Sequence, residues 1–168
     1  MTSYIEINVQ SNMDGIEKIE STLKFAHVYG KHSNDKRVGY EDELEVAYFS
    51  GYINKDIAFL HKSSKTLIQA DLLFNLPATE QYGSKEAALS GIARLVHTHF
   101  SPHSRLHRWL LMAGAKDKAA MKRDASTVAD WEFNRVIPCH GDIIETGGKQ
   151  AWLSAYESFL SPEGHKTN

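Results

Sequence analysis

At 168 residues the chain is long enough for one domain with a real core and short for two. Its 42% hydrophobic and 24% charged residues are ordinary for a soluble globular protein, and 19 Lys and Arg against 21 Asp and Glu, a net charge of −2, lack the basic surplus that nucleic-acid binding needs. The single Cys139 excludes an intramolecular disulfide and fits a reducing compartment, "MTSYIEINVQSNMDG" has no signal-peptide pattern, and no apolar run approaches the roughly 20 residues of a membrane span, so a cytoplasmic location is expected.

Residues 1–44 form a weakly patterned N-terminal segment. Tyr4, Ile5, Ile7 and Val9 fit a short strand, and Ile16, Ile19 and Leu23 fall at helical spacing. The polar, glycine-flanked stretch 30–43 reads as an exposed loop. "EVAYFS" (45–50) predicts a strand. "DIAFLHK" (56–62) and "TLIQAD" (66–71) are β-favouring runs around a short polar "SSK", which predicts a hairpin. Helices follow. "SKEAALSGIARLVHTHF" (84–100) starts at the N-cap candidate Ser84 and stacks Ala88, Ile92 and Leu95 on one face. "SRLHRWLLMAGA" (104–115) follows Pro102 and ends near Gly114, with Trp109, Leu110 and Met112 expected in the core. Residues 117–131 give another helix, "RVIPC" (135–139) a strand, and "KQAWLSAYESFL" (149–160) a last helix that stops before Pro162. Early strands and a late strand between helices predict an α/β fold, a mixed sheet covered by helices.

Asp71 closes one apolar strand and His140 follows another, at the C-terminal edge where α/β folds place ligand chemistry. A carboxylate and an imidazole suit Zn, Mn or Fe ions. Plainer roles are open to both: Asp71 could cap the amides of 73–75, and His140 could bond a neighbouring carbonyl. His97, His99, His103 and His107 include an HxH pair, but Pro102 interrupts their helix, and a polar helix surface is the plainer reading. Cys139 and His140 are adjacent on a strand and point to opposite faces, so they make a poor nucleophile pair. The Gly-Gly pair before Lys149 lacks the phosphate-loop pattern and reads as a turn into the last helix, capped by Thr146 or a backbone amide. Lys55, Asp56, Glu80 and Tyr82 read as solvated loop residues.

Two longer motifs, "FLHKSSKTLIQADLLFNLP" and "WEFNRVIPCHGDIIETGGKQA", together resemble an uncharacterised family of the metallo-β-lactamase-like superfamily, the group containing ribonuclease Z and hydroxyacylglutathione hydrolase. The resemblance covers roughly residues 40 to 160 and is weaker over 77–130. It implies a four-layer αββα sandwich with a metal site at one edge of two facing sheets. There an Asp closing a strand bridges two ions and a late His closing another completes the second site. Asp71 and His140 match those positions. Gly141 would let the backbone turn closely beside the imidazole, and Asp142 and Glu145 would be carboxylates able to orient it.

The match is incomplete. Residues 1–70 contain only His27, His32 and His61, so the superfamily's HxHxDH motif has no counterpart, and Gly51-Tyr52 stands where a Gly-His pair is usual. The resemblance therefore implies the C-terminal half of a sandwich, from a truncated gene or a natural short form. Its partial domain would run over 45–160, with a tail at 161–168. A divalent ion such as zinc, manganese or iron would be held weakly or not at all. The implied function is that of a metallo-hydrolase-like domain acting on an unidentified small molecule. The alternative is a non-catalytic remnant that binds a partner or serves as a structural domain. Tyr52 would face the cleft with its hydroxyl. A half-sandwich would also leave a sheet face uncovered: Val46, Tyr48, Ile57, Phe59, Leu67 and Ile68 could not all be buried, which favours self-association.

Overall fold

The structure is a computed structural model that describes residues 39–79 and 100–161. The elements expected within 1–38 and 84–99, the residues Glu80, Tyr82, His97 and His99, and the tail from 162 lie outside them.

The described chain is α/β. A four-stranded mixed sheet runs in the order β1 (Leu44–Tyr48), β2 (Ile57–His61), β3 (Thr66–Gln69), β4 (Arg135–Pro138). Helices α1 (Arg105–Gly114) and α2 (Lys118–Asp130) precede β4. Helices α3 (Gly148–Ala155) and α4 (Glu157–Leu160) follow it.

The hairpin forms where the polar turn predicted it. β2 pairs antiparallel with β3, Leu60 opposite Leu67, and Lys65 closes the turn at φ 50°. β1 pairs antiparallel with β2, Ala47 opposite Ala58. β4 joins β3 in parallel, Leu67 opposite Val136. A parallel neighbour needs a long crossover, and the helical section between β3 and β4 supplies it. This topology matters for the site, because it brings the C-terminal ends of β3 and β4 out side by side at one edge.

Strand alternation divides the sheet. Ala47, Ala58, Leu60, Leu67 and Val136 join the core with Leu111, Met121, Ala125, Val128, Trp152 and Tyr156 from the helices. Val46, Phe59, Ile68 and Ile137 form a cross-strand row on the other face and are not members of that cluster. Of the six residues expected on one uncovered face, Leu67 and Ile57 are buried, and Ile68 is exposed. Leu67 and Ile68 are consecutive in a strand and so cannot share a face.

Helix starts follow local chemistry. Ser104 Oγ accepts the His107 amide at 3.1 Å, and Asp117 Oδ1 accepts those of Ala119 and Ala120. No side chain caps α3; its N-cap is Gly147, left-handed at φ 77°. The next glycine is needed for packing, since a Cβ on Gly148 would lie 2.7 Å from Asn134 O.

Two helical expectations are corrected. The run 149–160 is two helices, because the chain turns at Tyr156 (φ −97°, ψ 12°). There the ring stacks on Trp152 at 4.1 Å and the hydroxyl donates to Leu72 O at 2.9 Å. Trp109 is 65% exposed, not core. α1 buries the side carrying His107 and Leu111, and Trp109 lies away from that i, i+4 line. Among the described residues no helix is long and apolar enough to cross a membrane.

Candidate functional site

Past Gln69 and Pro138 the two parallel strands release their chains at the same edge, and Asp71 and His140 meet there. His140 Nε2 lies 3.1 Å from Asp71 Oδ1, and the second carboxylate oxygen accepts Asn54 Nδ2 at 2.6 Å. The imidazole is about half exposed, with 54% of its side chain open against 30% for Asp71. One ring face lies parallel to Phe74, with centroids 5.6 Å apart and planes 7° from parallel.

The connection carrying Asp71 is pinned amide by amide. Asp56 Oδ2 accepts the Asp71 N–H at 2.6 Å. Gln69 Oε1 accepts those of Leu72 and Leu73 at 2.8 and 3.0 Å. His107 Nε2 accepts that of Phe74 at 3.2 Å. The Asn75 and Leu76 amides go to the carbonyls of His140 and Phe100. Six consecutive amides outside any helix or strand thus each have an acceptor, which satisfies donors that would otherwise be costly to bury. The bonds also exclude the capping role open to Asp71. The amides that Asp71 could have capped belong to Gln69, His107 and the His140 carbonyl, and the Asp71 carboxylate turns to His140 and Asn54.

Opposite Asn75, Gly141 has φ 116°, and a Cβ there would fall 2.2 Å from Asn75 O. Only glycine permits this approach. Asn75 also donates through Nδ2 to Asp142 O at 2.7 Å.

Tyr52 is buried against Gly114, within electrostatic reach of Asp71 and Asp56. Burial first, then those two negative charges, push its phenol up to about 12. Asp56 was expected to be solvated, but it is buried. Its carboxyl is raised by desolvation, against the lowering effect of the Asp71 and Ile57 amides. The other expected residues sit apart from the pair or serve other bonds. Glu145 pairs with Arg135 at 2.8 Å, and Asp142 accepts the Thr79 hydroxyl. Cys139 and His103 are exposed.

No family model matches this chain, and no curated protein does.

The donor set can be tested against the divalent ion that the resemblance implies. Asp71 and His140 converge as two ligands would. Asp56 spends its carboxylate on backbone amides, and Tyr52 holds its proton at neutral pH. Among the described residues no group of three or more His, Cys, Asp or Glu could hold a metal ion. A tightly held zinc takes three or four protein ligands, so these residues do not fit a tightly bound ion.

Sequence reasoning missed His107, placed on a polar helix surface but 0% exposed, together with Gln69 and Asn54. The signal available for Gln69 was its position: a polar residue on the inward face of an otherwise apolar strand.

Proposed function

We propose that the chain is a metallo-hydrolase-like domain of unidentified small-molecule substrate, with a metallo-β-lactamase-like half-sandwich fold and an incomplete metal site. The observation that carries this reading is the convergence of Asp71 and His140 at 3.1 Å, from the ends of two adjacent parallel strands. The pair stands at the sheet edge where the resemblance calls for an Asp and a late His. With two protein ligands, zinc, manganese or iron is held weakly. A reducing, cytoplasmic setting suits a chain whose only cysteine is exposed.

A second reading, a non-catalytic remnant that acts as a binding or structural domain, is favoured by Tyr52. This buried phenol keeps its proton and is a poor ligand at the place where the resembled family carries a histidine. Elemental analysis after dialysis against chelator tests the incomplete site. The expected result is well under one ion per chain, with added zinc binding weakly and His140→Ala binding less. Stoichiometric metal surviving the chelator would overturn the reading and require further ligands.

A further inference from the structure

We propose that His107 is a positioning residue for the Asp71–His140 pair: it holds the Phe74 amide, and Phe74 thereby fixes the plane of the His140 imidazole. The proposal rests on the reading of that pair as the functional centre.

Three observations lead there. His107 is fully buried on α1, edge-on to Phe74 and Phe100, with centroids 5.8 Å from each. Its Nε2 accepts the Phe74 N–H at 3.2 Å, so the proton of the neutral ring is on Nδ1. That Nδ1 is buried and has no hydrogen-bond partner among the described residues. A leucine would fill the same core position without an orphaned donor, which is costly to bury. What the imidazole adds is an acceptor for one particular amide, on the residue whose ring lies parallel to His140. Burial also depresses the His107 pKa to about 4, which keeps the ring an acceptor at neutral pH. Asp56 and Gln69 serve the preceding amides from the sheet. His107 is the side chain by which the crossover helix takes part.

The test has a wild-type arm and a variant arm. Long-range ¹H–¹⁵N spectra of the unaltered chain should show His107 protonated on Nδ1 alone, with Nε2 as acceptor. Protonation on Nε2 would overturn the proposal whatever any variant does. In the variant arm, the His140 ring protons of wild type should carry a ring-current shift from Phe74 that Phe74→Leu removes. His107→Leu should also remove it while the chain still melts cooperatively, and His107→Gln, which keeps an acceptor, should restore it in part. Zinc affinity should fall about tenfold in His107→Leu and recover in His107→Gln, as for lost outer partners of a ligand histidine. An unchanged His140 ring shift in folded His107→Leu sinks the positioning role. If wild type binds no zinc but the ring shift follows the expected series, the metal reading fails and the positioning role stands.

Discussion

Tyr52 and Gly141 are the single positions with the sharpest consequences. The Tyr52 phenol is buried near Asp71, and the charges of Asp71 and Asp56 make its ionisation harder still. It therefore contributes no anionic ligand at neutral pH. Tyr52→His would place a third donor beside the existing pair, and zinc affinity should rise at least ~10-fold, since each good ligand contributes more than a kcal/mol. Titration calorimetry on wild type, Tyr52→His and Tyr52→His with His140→Ala decides this; the gain should vanish in the last. Equal affinities for the first two would mean that residue 52 does not reach the ion. Gly141→Ala should destabilise the chain by at least about 2 kcal/mol, because the left-handed conformation and the contact with Asn75 O both oppose a Cβ. Urea unfolding measures it, and a change under about 0.5 kcal/mol, the range of a neutral surface substitution, would refute it. Asp71 and His140 could be found in the sequence because each follows a recognisable strand. Asp56 and His107 could not. Their burial depends on amides 15 and 33 residues away, and residue spacing carries no trace of such bonds.

At the level of elements, the hairpin could be read because a short polar turn between β-favouring runs acts locally. The division of the last helix could not, because Trp152, Tyr156 and Phe159 keep helical spacing through the break and the turn is set by tertiary bonds of Tyr156. α1 shows the same limit, with Trp109 outside and His107 inside. It also makes the stability pH-dependent. In the folded chain His107 has a pKa of about 4 against an ordinary 6.5. Between those values the unfolded chain binds more protons, so stability rises with pH. The contribution is complete above about 6.5 and is lost as pH falls toward 4, amounting to about 3 kcal/mol. Asp56 works in the opposite sense: its raised carboxyl makes stability fall as pH rises through the folded value. Comparing variants removes that background. Between pH 7 and 4, wild type should lose about 3 kcal/mol more than His107→Gln in urea unfolding. Parallel curves for the two proteins would show that His107 is not buried neutral.

At the scale of the whole molecule, the described helices pack on the side of the four-stranded sheet that carries Leu60, Leu67 and Val136. Its other face carries the row Val46, Phe59, Ile68 and Ile137, one side chain from each strand, with Ile68 38% exposed and the rest half-buried. A contiguous apolar row on a sheet tends to bury itself against another copy when nothing else covers it. Arg135, at one end of β4, is paired with Glu145. Self-association of the 168-residue chain is therefore expected, with a mass that climbs with concentration in light scattering. Ile68→Lys sets a charge in the middle of the row, and Leu67, its inward neighbour, is untouched. This variant should shift the mass toward the monomer at equal concentration while the melting temperature of the dilute protein stays nearly constant. Its loss of association also distinguishes this face from the exposed Trp109 on α1, since Trp109→Ala should leave the mass unchanged. A wild-type chain that stays monomeric at high concentration and melts cooperatively would mean that this face is already covered within the single chain, and the half-sandwich account would then fail with it.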